Sequence, residues 1–257
     1  MITLDLLDTR VVLDLPESFA RRVERLFPPE TVVDGSAQVD IAAISGPGGI
    51  QLVGGGPTIT VADEATALAQ LLSRINQSVL AAAPYLGIHA GVVAVGDRAI
   101  AFPAASGIGK STLVTACLQR GMSYVSDEAL CLNWTSGDII PYPRPIGLSV
   151  ESCRLLGLTP DHPLETAWSA ATLGAAIARE PLQLEHLILL DDSVAELEQA
   201  PRNAGAAELL RRSFNHWHHP ERAFELAHEI VRTAQVWRIG RHDPHDSAKQ
   251  IADLTRF

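Results

Sequence analysis

The eight residues from Ala104 to Ser111, Ala-Ala-Ser-Gly-Ile-Gly-Lys-Ser, combine small side chains with one lysine and a closing hydroxyl. They match the Walker A phosphate-binding pattern G-x-x-x-x-G-K-[ST] except at the first position, where Ala104 replaces glycine. Gly107 and Gly109 allow successive backbone N–H groups to turn towards phosphate oxygens. The spacing therefore predicts a nucleotide-phosphate site.

The end of this loop predicts how ATP and Mg²⁺ would be held. Lys110 supplies a point charge for the outer phosphates, and Ser111 offers a hydroxyl to Mg²⁺. Ser111 and Thr112 open a helix whose positive end faces the same anion. The chain has only one other lysine, against eighteen arginines, and this rarity of lysine favours a specific role for Lys110. The predicted nucleotide-binding residues are Ser106, Gly107, Ile108, Gly109, Lys110, Ser111 and Thr112.

A Mg²⁺–nucleotide site also needs an acidic partner, usually near the end of a strand. Asp191-Asp192 follows the apolar run 186–190, as in a Walker B strand, whereas Asp127-Glu128 interrupts the apolar strand predicted over 124–132. Acids within an apolar strand are costly unless they are used or paired, which favours Asp127-Glu128. The residues alone leave both pairs open.

The elements around the loop predict an unusual setting for it. An apolar strand over 87–96 precedes the loop strand Ala99–Phe102, and Gly96-Asp97 between them is a two-residue hairpin signal. The two strands are therefore expected to be antiparallel, whereas a doubly wound P-loop protein reaches its loop from a parallel βαβ unit. The helix that begins near Lys110 is expected to end at Gly121.

The first part of the chain carries no recognisable catalytic pattern. Residues 2–15 alternate as one half-buried strand would, and Asp63 is suited to cap a helix over 63–83. Three further strands are predicted between them, over 39–44, 49–53 and 58–61. We therefore expect a small α+β module over 1–84 and a nucleotide-binding domain over 85–257.

Composition narrows the class of protein. The 257 residues are 47% hydrophobic and 19% charged, as in globular proteins, and the net charge of −10 argues against nucleic-acid and anionic-membrane partners. Three cysteines without C-x-x-C spacing indicate neither a disulfide framework nor a zinc ribbon. The N-terminus lacks the cations of a signal peptide, so a cytoplasmic location is expected.

Several of these elements together resemble the catalytic half of bacterial HPr kinase/phosphorylase. That family shows H-G-V, G-x-S-G-x-G-K-S and R-G-x-x-x-[IV]-A-D-D in this order. Here His89-Ala-Gly-Val, the loop, Arg120-Gly121 and Ser126-Asp127-Glu128 follow with similar spacing. The resemblance covers about residues 86–150 and is greatest to HPr-kinase-related proteins of peptide natural-product clusters, including lasso-peptide kinases. It implies an α/β fold of the HPr kinase/phosphoenolpyruvate-carboxykinase type, with a mixed or antiparallel sheet, following the N-terminal module.

The resemblance also implies roles for individual residues. Lys110 and Ser111 would bind phosphates and Mg²⁺, Asp127 would be the general base on the acceptor hydroxyl, and Glu128 would lie at the metal, where the family has aspartate. His89 matches the family histidine near the transferred phosphate; without the resemblance, a satisfied histidine at a strand edge is the weaker alternative.

Two further features stay open at this level. Arg144 corresponds weakly to an arginine of the family's R-G-L-G-I segment, and an ordinary surface arginine is an equal alternative. The histidines between His216 and His219 are better explained as solvated residues at a helix start than as a metal site, because no carboxylate or cysteine completes a zinc spacing.

The implied function is ATP-dependent phosphorylation of a serine hydroxyl in a peptide or protein. Relatives form oligomers through the nucleotide domain, and the sequence leaves open whether this chain forms homo-oligomers. The family's R-P-G-R-N segment has no counterpart here, so neither HPr as substrate nor phosphorylase activity is expected. Two alternatives remain: a nucleotide sensor or docking protein that transfers nothing, and a kinase of a small hydroxylated metabolite.

Overall fold

The computed structural model describes residues 1–33, 38–163, 165–240 and 243–255. Within these ranges the chain is a mixed α/β protein of fifteen strands and seven α-helices. The strands form a five-stranded sheet, an eight-stranded sheet and a two-stranded ribbon. The predicted combination of an N-terminal sheet module with a mixed sheet is confirmed. No helix in the described ranges is both long and apolar enough to cross a membrane.

The strands are β1 (Ile2–Leu6), β2 (Thr9–Asp14), β3 (Val39–Gly46), β4 (Gly49–Val53), β5 (Ile59–Val61), β6 (Leu86–Val95), β7 (Arg98–Pro103), β8 (Ser123–Ser126), β9 (Ala129–Leu132), β10 (Ile139–Ile140), β11 (Ile146–Ser149), β12 (Glu165–Trp168), β13 (Gln183–Leu190), β14 (Glu198–Gln199) and β15 (Gln235–Ile239). The helices are α1 (Glu17–Glu24), α2 (Glu64–Ala82), α3 (Lys110–Leu118), α4 (Val150–Leu155), α5 (Arg202–Arg211), α6 (Pro220–Thr233) and α7 (Pro244–Leu254).

The N-terminal sheet has the strand order β1-β2-β3-β4-β5. The single strand predicted over 2–15 is wrong, because Leu7 and Asp8 take positive φ values of 52° and 59° and join β1 to β2 in a hairpin. Leu4 is paired with Val11 across this hairpin. The apolar positions change from even to odd numbers at the turn, and this change of phase was the sequence signal of a hairpin.

The larger sheet surrounds the loop strand β7 with neighbours of both directions. Its order is β10-β9-β6-β7-β13-β15-β14, with β8 also paired to β6. The hairpin predicted at Gly96-Asp97 is confirmed, since β6 and β7 are antiparallel, whereas β13 lies parallel to β7 on its other side. The phosphate loop therefore leaves a sheet that is antiparallel on one side and parallel on the other.

The strand predicted over 124–132 is broken at Asp127-Glu128. Its halves, β8 and β9, both pair antiparallel with β6, and the Ala90 N–H bonds the Glu128 carbonyl at 3.1 Å. The two acids thus occupy an irregularity in the ladder, where a strand bends and re-aims its side chains. The free-energy cost of placing two carboxylates among apolar residues is reduced because both are paired with Arg144.

Helix α2 connects the two sheets. The Asp63 side chain accepts the Thr66 N–H at 2.8 Å, which confirms the predicted cap. One apolar cluster contains residues of the N-terminal sheet and of α2 together with Cys131 and Tyr142 from the second part of the chain. The Tyr142 hydroxyl donates to Asn76 Oδ1 at 3.1 Å. The helix is therefore held against the elements that carry the acids.

Candidate active site

The loop between β7 and α3 has the backbone that its glycines predict. Gly107 and Gly109 take positive φ values of 76° and 97°, and Gly109 is the residue before α3. Among described non-glycine residues only Leu7 and Asp8 have positive φ, so Ala104 has an ordinary backbone angle. Alanine at the first motif position therefore causes no backbone strain. No described side chain caps α3, and its first turn contains no acid, which suits an anion.

Lys110 folds back over this loop. Its Nζ donates to the carbonyl oxygens of Ala104 at 3.2 Å and Ala105 at 2.9 Å, and the residue is 5% exposed. Burial lowers the pKa of Lys110, while the charges of Glu128 and Asp127 act in the opposite direction. Phosphate oxygens could replace the two carbonyls as acceptors, so the ammonium group is already positioned for a phosphate chain.

Close packing fixes α3 against the sheet. A Cβ atom at Gly91 in β6 would lie 2.6 Å from Val114 Cγ2 and 3.7 Å from Lys110 Cβ. Only glycine allows α3 to approach β6 this closely. The family-like segment His89-Ala-Gly-Val therefore has a packing role in addition to any role of its histidine.

Asp127 lies directly beside the loop. Its Oδ2 accepts a hydrogen bond of 2.8 Å from Ser111 Oγ, and its Oδ1 lies 3.0 Å from the Tyr124 hydroxyl. Asp127 is 2% exposed. A hydroxyl and a carboxylate oxygen at the start of a loop helix are hard ligands of the kind Mg²⁺ uses, with phosphates and water completing its shell. Ser111 and Asp127 thus fit the predicted metal.

Glu128 is less buried than Asp127 and lines a cavity that Ser106 of the loop also lines. Its side chain is 28% exposed, and Arg144 Nη1 lies 3.4 Å from both Glu128 Oε2 and Asp127 Oδ1. Burial raises the pKa of Glu128, opposed by the Arg144 charge and by a hydrogen bond from Asn76. The two neighbouring acids therefore have different surroundings, one closed against Ser111 and one accessible.

His89 lies beside Glu128, with Nε2 3.8 Å from Glu128 Oε1. Burial lowers the pKa of His89 to about 4, and the charges of Lys110 and Arg212 contribute in the same direction. The imidazole is therefore uncharged at neutral pH. It can take part in a hydrogen bond to a phosphoryl oxygen but does not add a positive charge.

The surface alternative for Arg144 is wrong. Its side chain is 15% exposed and contacts both acids. Burial tends to lower the pKa of Arg144, but the charge of Asp127 and its other neighbours raise it overall, so the guanidinium remains charged. A fixed cation between two carboxylates is suited to compensate charge that develops during phosphoryl transfer.

The competing pair, Asp191-Asp192, follows β13. Asp191 Oδ1 accepts the Ser193 N–H at 2.9 Å, and Oδ2 lies 3.7 Å from Arg238 Nη1. Asp192 borders a cavity of about 470 Å³ that is also lined by residues 107–109, Thr112 and Ser149. Asp127 is hydrogen-bonded to Ser111 Oγ of the loop, which favours the pair Asp127-Glu128.

Sequence reasoning missed Arg212, the residue directly after α5. Its carbonyl accepts the His89 N–H at 2.8 Å, and its charge lowers the pKa of both His89 and Lys110. Glu208 holds its guanidinium at 2.7 Å. No spacing in the sequence links Arg212 to the loop, because α5 reaches the site only through the fold.

The histidines His216–His218 form a short 3-10 turn, and the His219 ring contacts Trp134 at 5.2 Å between centroids. Across the described residues, no group of three or more His, Cys, Asp or Glu side chains is arranged to hold a metal ion. Mg²⁺ at a nucleotide site needs only one or two protein ligands, so the absence of such a larger group among the described residues is compatible with a Mg²⁺ site at Ser111 and Asp127.

No protein-family model matches this chain, and a search of curated proteins finds no match. Its function is therefore inferred from the geometry of its own residues.

Proposed function

We propose that the protein is an ATP- and Mg²⁺-dependent kinase that transfers a phosphoryl group to a hydroxyl of a peptide or protein, in the manner of HPr kinase. The main observation behind this proposal is the 2.8 Å hydrogen bond between Ser111 Oγ and Asp127 Oδ2. This bond joins a hydroxyl of the phosphate loop to the first of two consecutive acids, Asp127 and Glu128. The side chains of Lys110, His89 and Arg144 lie near these two acids.

We propose that the finer fold is the HPr kinase/phosphoenolpyruvate-carboxykinase type. Two features favour it: the loop strand β7 is reached through an antiparallel hairpin, and the acid pair interrupts a strand antiparallel to β6. Both differ from a doubly wound P-loop arrangement, in which a parallel βαβ unit leads into the loop.

Ser111 and Asp127 would hold Mg²⁺, and the loop backbone with Lys110 would hold the phosphates of ATP. The metal, when bound, supplies charge compensation at the phosphates. Lys110 would exchange its bonds to the Ala104 and Ala105 carbonyls for bonds to phosphate oxygens. Arg144 would keep a positive charge beside both acids throughout.

The environments of the two acids favour a revised assignment of the general base. Asp127, which the resemblance makes the base, is closed against Ser111 and Tyr124. Glu128 is accessible and has a raised pKa, as suits a proton acceptor. We therefore propose Asp127 as the metal ligand and Glu128 as the base.

In the transfer step, the bond between the acceptor oxygen and the γ-phosphorus forms while the bond from that phosphorus to the bridging oxygen of ADP breaks. Glu128 takes the proton of the acceptor hydroxyl, and ADP leaves. Positioning and charge compensation would contribute most of the catalysis, as in other phosphoryl transfers. His89, uncharged near neutral pH, would hydrogen-bond the transferring group.

The test is phosphate transfer from ATP with Mg²⁺, followed by mass spectrometry with serine peptides and small alcohols as acceptors. The informative variants are Lys110→Ala and, as a matched control, Lys249→Ala, which removes the exposed lysine of α7. We expect peptide transfer by the wild type and by Lys249→Ala and its loss in Lys110→Ala. ATP binding without transfer to any acceptor would instead support the nucleotide sensor.

A further inference from the structure

Two cavities meet at Glu128. One, of about 400 Å³, has charged walls that include Arg22, Asp161 and Glu165. The other, of about 410 Å³, is lined by Phe214 and Trp217 among others. Glu128 borders both, and so do Ser73 and Asn76. The accessible acid therefore lies between two spaces of different chemical character.

Helix α2 of the N-terminal part forms a continuous wall of both cavities. Asn76 is buried where they meet, accepts the Tyr142 hydroxyl at 3.1 Å and hydrogen-bonds Glu128. Ser73, one turn earlier, is exposed in the same wall. The helix thus completes the site on the side opposite the phosphate loop, which gives the N-terminal part a role that no motif revealed.

The length of this wall suits an extended chain. It runs from Ala65 at the charged cavity to Ala81 at the aromatic cavity, about 24 Å along a helix with a rise of 1.5 Å per residue. An extended polypeptide covers that length with about seven residues. A small alcohol would occupy only one of the two cavities and leave the other empty.

The two ends also differ in what they would recognise. Trp217 is 62% exposed, although large aromatic side chains are usually buried, and exposed aromatics are common anchors for partner chains. Phe214 next to it contacts the His89 ring at 5.6 Å between centroids, so the aromatic end is continuous with the proposed catalytic residues. At the other end, Arg22 pairs with Asp161 at 3.6 Å.

We infer that the acceptor is an extended polypeptide segment lying along α2, with its hydroxyl at Glu128 and an apolar side chain on Trp217. This inference rests on the proposed kinase function and adds the binding site and the sequence preference of the acceptor. The charged cavity is lined by carboxylates and by guanidinium groups, so a polar residue is expected at that end of the segment.

The test uses a degenerate library of nine-residue peptides with a central serine, phosphorylated with MgATP and read by mass spectrometry. Trp217→Ala should raise the KM of the selected peptides about tenfold and remove the preference for an apolar residue on one side of the serine. Ser73→Trp, which fills the cleft at Glu128, should abolish peptide transfer with MgATP affinity retained. Phe224→Ala is the matched control, since Phe224 is 56% exposed on α6 and borders neither cavity.

The outcomes separate the two proposals. Peptide transfer that is the same in wild type, Trp217→Ala and Ser73→Trp would overturn the cleft and leave the kinase intact. Transfer to small alcohols but to no library peptide would also overturn the cleft. No transfer to any acceptor, with MgATP bound, would overturn the kinase and the acceptor cleft together.

Discussion

Ser111 Oγ and Asp127 Oδ2 lie 2.8 Å apart, although sixteen positions separate the two residues in the chain. This hydrogen bond joins the start of α3 to the break between β8 and β9. It therefore fixes the position of the phosphate loop relative to the acid pair Asp127-Glu128.

The first prediction concerns Asp127→Asn. Asparagine keeps the size of the side chain and can still bond Ser111, but it removes the charge that would hold Mg²⁺. We expect ATP to bind with similar affinity while transfer falls at least about a hundredfold and needs more Mg²⁺. Rates of phosphoryl transfer measured across a Mg²⁺ titration check this prediction. Asp191→Asn, which changes an acid outside the Asp127-Glu128 pair, is the control. Normal turnover at low Mg²⁺ would contradict it.

The second prediction concerns Glu128→Gln. Glutamine retains the hydrogen-bonding shape but cannot take the acceptor's proton, so kcat should fall about 10²- to 10⁴-fold. ATP affinity and the Mg²⁺ requirement should match the wild type, in contrast to Asp127→Asn. Single-turnover transfer rates for the two variants, measured side by side, distinguish the base from the metal ligand. If Glu128→Gln instead shifts the Mg²⁺ requirement, the assignment of roles is wrong.

The third prediction is a low pKa for His89. Its imidazole should titrate at about 4 in the nucleotide-free protein, by NMR chemical shift, because it is buried near Lys110 and Arg212. The unfolded chain takes up this proton near pH 6.5. The stability that neutral His89 contributes is therefore full above pH 6.5 and is lost as the pH falls towards 4. A titration near 6.5 would contradict this.

Urea unfolding of the wild type and of His89→Asn at several pH values provides the matching stability measurement. The difference between their free energies of unfolding should change between pH 6.5 and 4 and stay constant above that range. Because only the difference is used, titration of other groups that are common to both proteins cancels.

The fourth prediction concerns Gly91→Ala. The added methyl group would lie 2.6 Å from Val114 Cγ2, so the Val114 side chain or α3 itself must shift. We expect a loss of about 1–3 kcal/mol in the free energy of unfolding, as for other overpacked sites, and weaker nucleotide binding. Gly46→Ala is the control, because nothing lies within 4 Å of the position of its Cβ. Equal stability of the two variants would contradict the close-packing role.

Part of this arrangement was readable from short stretches of sequence. The phosphate loop, the Asp63 cap and the Gly96-Asp97 hairpin each depend on a few neighbouring residues whose side chains dictate the local backbone. The hairpin between β1 and β2 was readable too, from the shift in the phase of its apolar positions.

The convergence of distant residues was decided only by the tertiary structure. The sequence left two acid pairs open and left Arg144 equally a surface residue; strand pairing to β6 brings Asp127 to Ser111, and the segment between β10 and β11 brings Arg144 to both acids. Arg212 and Asn76 carry no motif; Arg212 reaches the site at the end of α5, and Asn76 reaches it on α2. Local sequence determines local backbone because the interactions involved span a few residues. Contacts between distant residues depend on sheet register and helix packing, which the whole chain sets together.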